Sequence, residues 1–235
     1  MKHLTVIIKP TGRCNANCVY CSAYQPENKK PDMTGDILET IFRRIGEWVT
    51  HSKRARHIKI IWHGGEPTLM PLEFFEETIA LQENLQKVYG IRIMNNIQSN
   101  LLYLDEKKLD VLARLLTFNG RRRNIGTSFD PLPGIRILKN GHYTEEWEKS
   151  IALLKEKDFP FGIVYVVHKR SIENIDYVAE TFLNRFPRIG IRFNPLYREG
   201  RAGSSACEPL YITPREWGDF LVKLHRIWAA QDKKP

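Results

Sequence analysis

Apolar residues along this chain switch between a two-residue and a three-to-four-residue period, and the switching predicts an order of elements. Val6, Ile7 and Ile8 centre a first strand over Leu4–Lys9, which Pro10 stops. Ile37, Leu38, Ile41, Phe42, Ile45, Trp48 and Val49 then recur at helical spacing, with Thr34 as N-cap and Asp36 favourable in the first turn. His57–His63 carries Ile58, Ile60, Ile61 and Trp62 and reads as a second strand ending at Gly64-Gly65. Pro71–Tyr89 reads as a second helix, closed by Gly90 where left-handed backbone is commonly needed. Ile91–Gln98 is a third strand, and Asp105 caps a helix through Leu109, Leu112, Leu115 and Leu116. A short fourth strand, Asn124–Phe129, leads into a long loop, Asp130–His142, punctuated by Pro131, Pro133, Gly134 and Gly141. A fourth helix carries Trp147, Ile151 and Leu154.

Phe161–Val167 is a nearly continuous apolar run, as expected of a strand covered on both faces in a parallel sheet. Ile175, Val178, Phe182 and Phe186 mark a fifth helix stopped by Pro187. Ile189, Ile191 and Phe193 alternate with Gly190, Arg192 and Asn194 in a sixth strand ending at Pro195. Thr213-Pro214-Arg215-Glu216 is a capping box with proline at N1, opening a last helix of Trp217, Phe220, Leu221, Leu224, Ile227 and Trp228. The apolar and Trp positions of the helices read as core. Six strands alternating with six helices predict an α/β fold, a parallel sheet wound in one direction. A closed barrel needs eight such units. Six predict a partial, laterally open (β/α)6 TIM-like barrel, with a gap wide enough for a bulky substrate.

At 235 residues and 42% hydrophobic, the chain is expected to form a single domain over 1–235. There is no internal repeat and no low-complexity stretch beyond the polar tail Gln231–Pro235. The net charge of +9 is compatible with an acidic partner, nucleic acid or acidic peptide, without establishing one. Arg121-Arg122-Arg123 reads as a solvated loop, with docking of an acidic leader peptide as the alternative. No apolar run approaches the roughly 18 residues of a membrane span, and Met1-Lys2-His3 leads into a strand rather than a signal peptide. The expectation is a cytoplasmic protein without a membrane partner.

Three of the four cysteines, Cys14, Cys18 and Cys21, fall within eight residues, which is not the pattern of a secreted disulfide framework. Cys207, in the loop Gly203–Cys207, reads as an ordinary free thiol. Three thiolates so close in sequence can converge on a soft metal centre, most commonly an Fe–S cluster. A four-iron cube with three protein ligands keeps one open position, where a metal site does chemistry. The alternative is a structural zinc with His63 as fourth ligand, although zinc ligands usually come as spaced pairs. Pro10, Gly12, Asn15 and Asn17 predict an irregular loop here, at a strand's carboxyl end where α/β folds place their sites. Gly64-Gly65-Glu66-Pro67 ends the second strand, and adjacent strands would put the two motifs side by side.

The spacing Cys14-x3-Cys18-x2-Cys21 with aromatic Tyr20, followed by the Gly-Gly-Glu-Pro motif, resembles the radical S-adenosylmethionine (SAM) superfamily over essentially the whole chain. The resemblance implies that superfamily's partial (β/α)6 barrel, with Cys14, Cys18 and Cys21 binding a [4Fe–4S] cluster and the methionyl amine and carboxylate of SAM on the unique iron. An electron from the reduced cluster would enter the sulfonium and break a C–S bond, giving methionine and a 5′-deoxyadenosyl radical. Gly64 and Gly65 would let backbone approach the ligand, with Glu66 as an acceptor near the ammonium and His63 and Pro67 beside them. The same resemblance assigns Gln98 and Asn100 to ribose hydroxyls, Ser128 and Asp130 to the cofactor's polar groups, Arg136 to the methionyl carboxylate and Leu196 to adenine. Each of these also reads as an ordinary loop residue.

His63–Leu69 and Thr127–Asp130 are similar to the sulfatase-maturase and peptide-modifying branch, which normally carries a C-terminal SPASM-type extension with auxiliary clusters. Pro131 stands where glycine is usual, and the chain ends at Pro235, about where that extension would begin, as a core-only enzyme or as a fragment. The resemblance implies hydrogen abstraction from a peptide or protein substrate, fed by an external flavodoxin- or ferredoxin-type electron donor, with nucleic acid not an expected partner. No acid or base is assigned. The alternatives are a glycyl-radical activase, a small-molecule or nucleoside radical enzyme and, from another class, an Fe–S electron carrier or zinc-stabilised binding module. The Gly-Gly-Glu-Pro motif argues against that last class.

Overall fold

In the computed structural model, which describes residues 2–23, 31–52, 55–138 and 140–231, all six predicted strands and all six predicted helices form in the predicted order. The elements are β1 (Lys2–Ile8), α1 (Gly35–Ser52), β2 (Ala55–Trp62), α2 (Leu72–Tyr89), β3 (Arg92–Ser99) and α3 (Glu106–Leu115). They continue with β4 (Thr117–Phe118), β5 (Arg121–Arg122), β6 (Ile125–Ser128), α4 (Tyr143–Glu156) and β7 (Phe161–Val167). The last are α5 (Lys169–Glu173), α6 (Ile175–Arg185), β8 (Gly190–Pro195) and α7 (Pro214–Ala229). Six strands make one sheet in the order β1-β2-β3-β6-β7-β8, which leaves β1 and β8 as its ends, and β4-β5 is a separate pair. The fold is the expected open α/β arrangement of parallel strands. Of the polar tail, residues 232–235 lie outside the described residues.

Two compact units make up the chain, the first from residues 1–15, 26–127 and 145–161. Within it β1 and β2 pair in parallel with Val6 opposite Ile60, and β2 and β3 with Ile60 opposite Asn95. Helix α1 buries Leu38, Phe42, Ile45 and Val49, a three-to-four-residue stripe. Ile37 and Trp48, expected in the core, are instead 49% and 44% exposed, because each lies about 100° round the helix from a member of that stripe. Trp62 packs edge-on against Phe74 and Phe75 of α2, and its Nε1–H donates to Asn95 Oδ1 at 3.0 Å. Helix α2 ends at Gly90, whose φ of 60° is the expected left-handed cap, and the Asp105 side chain caps α3 through Lys108 N at 2.8 Å.

Arg121–Arg123 is not simply a loop: Arg121 and Arg122 form β5, antiparallel to β4, since the turn Asn119-Gly120 has positive φ at both residues and closes a hairpin. All three arginines are exposed, as expected.

The second unit comprises residues 16–25, 128–144 and 162–235. Here β7 and β8 pair in parallel with Ile163 opposite Ile191, and Tyr165, Phe182, Phe193 and Phe220 meet in a chain of tilted and edge-on contacts with ring centroids 5.1–6.0 Å apart. Tyr165, Phe182 and Phe220 are buried, and full burial of a ring of this size stabilises by about 1.5–3 kcal/mol. A short helix absent from the expectation, α5, forms between β7 and α6. Thr213 and Glu216 build the expected capping box on α7. That helix is less buried than its stripe suggested: only Phe220 is fully covered, while Leu221 and Trp228 are 39% and 40% exposed. Among the described residues no helix is long and apolar enough to cross a membrane.

Candidate functional site

Strand β2 ends at Trp62, and the hydrogen bonding continues past it from His63–Glu66 to the end of β1 and the loop that follows. His63 N donates to Ile8 O at 2.9 Å, Gly65 N to Thr11 O at 3.0 Å and Glu66 N to Arg13 O at 2.7 Å. The glycines are required by this approach. Gly64 has φ +117°, and a Cβ on Gly65 would lie 2.0 Å from the Arg13 carbonyl oxygen. At both glycines a close approach is made by the chain's own segment Thr11–Arg13, immediately before Cys14. Arg13 and Thr11 are in turn tied to Asp32.

Glu66 is buried, and both oxygens of its carboxylate are engaged. Oε1 accepts from Thr68 N at 3.0 Å, Thr68 Oγ1 at 2.8 Å and Ser99 Oγ at 2.8 Å, and Oε2 from Asn100 N at 2.6 Å. Burial pushes this carboxyl above its usual range, and the four donors act against that shift. Asn100 extends the chain of contacts, since its Nδ2 donates to Asn15 Oδ1 at 2.7 Å and approaches Cys14 Sγ at 3.6 Å. The first unit therefore joins Cys14, Gly64, Gly65, Glu66 and Asn100 in one network. Pro67 is buried at the start of a 3₁₀ turn, and the exposed His63 accepts the Gly64 N–H on Nδ1 at 2.8 Å. Gln98 lies opposite Gly126 of β6, where any Cβ would come within 2.4 Å of Gln98 Oε1.

The second unit holds Cys18, Cys21, Tyr20, Arg136, Ser128, Asp130 and Leu196. Residues Ala16–Val19 run beside the loop after β6, with Asn17 N donating to Ile137 O at 2.7 Å and Val19 N to Ile135 O at 3.0 Å. Arg136 Nη1 donates to Tyr20 Oη at 3.3 Å, and its guanidinium lies 4.8 Å from the centre of the Tyr143 ring. Burial opposes the charge of Arg136, yet Cys18, Tyr143 and Tyr20 around it raise its pKa well above the ordinary value. Burial pushes the Tyr20 phenol upward, with Arg136 acting against it. Arg136 Nε is buried with no hydrogen-bond partner among the described residues. The Ser128 carbonyl accepts from Tyr143 Oη at 3.2 Å, and the largely buried Leu196 bonds through its N–H to Val167 O at 3.0 Å.

Asp130 is committed on both oxygens, Oδ1 to Leu132 N at 2.9 Å and Oδ2 to His168 Nε2 at 3.1 Å. His168, fully buried with Nδ1 unpartnered among the described residues, was missed by sequence reasoning. Its signal was positional, because it directly follows the apolar run of β7. Thr68, Ser99 and Asn15 were missed as well, since nothing local marks them as partners of Glu66 and Asn100.

Among the described residues the four cysteines form no disulfide. Among the described residues no three His, Cys, Asp or Glu side chains gather as ligands of a single ion. A four-iron cluster makes a different demand, because each thiolate holds its own iron. Within each unit the donors suit such a group: in the first, Cys14 has an amide N–H beside its sulfur, and in the second, Cys18 has the Arg136 guanidinium nearby. The buried, unpartnered Nε of Arg136 is a donor that an anionic ligand would satisfy.

Comparison with known proteins agrees with this chemistry. The chain belongs to the radical SAM superfamily, whose profile matches residues 8–182 and whose enzymes use a [4Fe–4S] cluster and SAM. It is 30% identical over 240 residues to the serine-type anaerobic sulfatase-maturating enzyme of Klebsiella aerogenes, covering 96% of this chain and 54% of that protein. It is 27% identical over 243 residues to the cysteine-type enzyme of Clostridium perfringens, covering 97% and 61%. The chain thus spans little more than half the length of these relatives. Among solved structures, anSMEcpe with bound AdoMet and Kp18Cys peptide superposes with a TM-score of 0.80 at 24% identity, over 97% of this chain and 60% of that one. That likeness establishes the shared partial-barrel fold.

Proposed function

We propose that residues 1–235 are one radical SAM core domain, the catalytic part of an enzyme that abstracts hydrogen from a peptide or protein side chain. The observation that carries this reading is the ladder from His63–Glu66 to Ile8–Arg13, which braces the segment entering the cysteine loop with the Gly-Gly-Glu-Pro motif. Sulfatase-maturating relatives, alike over nearly the whole chain, support a peptide or protein as the substrate class.

In this reading Cys14, Cys18 and Cys21 hold a [4Fe–4S] cluster, and Tyr20 packs beside it. When bound, the cluster and SAM together supply a 5′-deoxyadenosyl radical, with an external flavodoxin- or ferredoxin-type protein as electron source. Gly64, Gly65 and Pro67 shape the turn, and Glu66 positions Asn100 through its backbone N–H. Gln98 and Asn100 serve the ribose hydroxyls, and Ser128 the cofactor's polar groups. Arg136 offers its unpartnered Nε–H to the methionyl carboxylate, and Leu196 an apolar surface to adenine. Asp130, with both oxygens occupied, orients His168 rather than contacting the cofactor by itself.

The test is anaerobic reconstitution followed by SAM and dithionite. About four irons per chain and formation of 5′-deoxyadenosine are expected, and both should be lost in Cys14→Ala, Cys18→Ala and Cys21→Ala. Zinc uptake without iron, or iron uptake without 5′-deoxyadenosine, would refute the reading. Cys- and Ser-containing peptides, followed by mass spectrometry, then test the substrate class.

A further inference from the structure

The segment from Arg198 to Tyr211 lies past the residues that match the family profile, and none of the assignments above uses it. It forms two 3₁₀ turns, Gly200–Gly203 and Ser205–Leu210, and it grips the backbone of the cysteine loop within the second unit. Arg201 N donates to Cys21 O at 3.0 Å, and Arg201 Nη1 donates to Cys18 O at 3.3 Å and to the Asn17 side-chain oxygen. The buried Cys207 directs its thiol at Val19 O, 3.1 Å away. Gly200, at φ +58°, lies so close that a Cβ there would sit 2.7 Å from Cys21 O and 2.6 Å from Ser22 O. The carbonyls of Cys18, Val19 and Cys21 are thereby each met from one short stretch.

We propose that Gly200, Arg201 and Cys207 form a clamp that positions Cys18 and Cys21 for cluster binding, and that the Arg201 charge raises the reduction potential of that cluster. The proposal rests on reading Cys18 and Cys21 as cluster ligands. The loop's own pairing, Asn17 N to Ile137 O and Val19 N to Ile135 O, runs through its N–H groups and leaves the carbonyls of Cys18, Val19 and Cys21 to be anchored from the clamp. Reduction adds one negative charge to a cluster, so a guanidinium hydrogen-bonded to the Cys18 carbonyl favours the reduced form. Cys207 is a donor to the loop in this arrangement and not a fourth ligand.

The test uses wild type, Arg201→Met, Arg201→Lys and Cys207→Ser, each reconstituted anaerobically with iron and sulfide. Iron per chain, iron release to a chelator, the midpoint potential by EPR-monitored titration and the EPR change on adding SAM are measured, together with thermal melts of the iron-free proteins. Arg201→Met should release iron roughly tenfold faster and have a lower potential. Arg201→Lys should recover the potential but only part of the retention, since an ammonium lacks the guanidinium fork. Cys207→Ser should keep its iron, because a hydroxyl still donates to Val19 O. Iron release and potential unchanged in Arg201→Met, even with a lowered melt of its iron-free form, would overturn the clamp alone. Loss of iron from Cys207→Ser would overturn its role as a donor. Wild type that binds zinc and not iron would overturn the ligand reading itself, and the clamp with it.

Discussion

Replacing Glu66 by Gln turns one oxygen of a fully engaged, buried carboxylate into a donor. The three donors on Oε1 (Thr68 N, Thr68 Oγ1 and Ser99 Oγ) require an acceptor, so the new amide nitrogen must take the place of Oε2. There it faces Asn100 N, now 2.6 Å from an acceptor. One charge-assisted hydrogen bond is lost, at about 1.5–3 kcal/mol, and a buried N–H is left unpaired, at about 1–3 kcal/mol. Relief from burying a charge offsets part of this, so the net loss is about 2–4 kcal/mol. Urea unfolding of the iron-free proteins, followed by tryptophan fluorescence and circular dichroism, measures it.

The pH dependence has a definite sign. Burial raises the Glu66 pKa in the folded protein, so between the usual carboxylate range and the raised value the folded state holds more proton than the unfolded one. Wild-type stability therefore falls as pH rises through that window, and its advantage over Glu66→Gln narrows. A Glu66→Gln protein within about 0.5 kcal/mol of wild type at all pH values would refute the assignment of four donors to this carboxylate.

Gly65→Ala places a Cβ 2.0 Å from the Arg13 carbonyl, so Thr11–Arg13 must move, and iron uptake by the cysteine loop should fall sharply relative to wild type. Asn95→Ala removes a side chain that bonds Trp62 Nε1, Gln82 and Leu115 O at 2.7–3.0 Å. Several buried polar groups are left unpaired, for a loss of about 3–5 kcal/mol in urea unfolding. The Lys169 hydrogen bond, with Thr213, lowers the Glu216 pKa to about 2. Its contribution is present above the usual carboxylate pKa and is lost as pH falls through about 2, so acid-unfolding curves of Glu216→Gln should lack that component.

Both motifs of the candidate site were legible because their spacing is local: Cys14, Cys18 and Cys21 lie within one loop, and Gly64–Pro67 form one turn. Their support was not legible. Glu66 meets Ser99 33 residues away, Asp130 meets His168 38 away, and Arg201 meets the Cys18 carbonyl 183 away. No periodicity carries such pairings, because they depend on which strand ends the sheet order makes neighbours. Arg136 was identified as a cation for an anion, but its buried, unpartnered Nε and the tyrosines around it emerged only with packing.

The sequence by itself determined the strands of the main sheet, the helices other than α5, the caps at Gly90, Asp105 and Thr213 and the three-thiol loop, since backbone hydrogen bonding and amphipathic period are written over a few residues at a time. Only the tertiary structure decided that Ile37 and Trp48 face outward while Leu38, Phe42, Ile45 and Val49 do not. It likewise decided that Gly65 is glycine because the Arg13 carbonyl leaves no room for a Cβ, and that Cys207 is a hydrogen-bond donor to the cysteine loop. Burial and long-range approach are properties of the assembled chain, and they convert two recognisable motifs into a braced site.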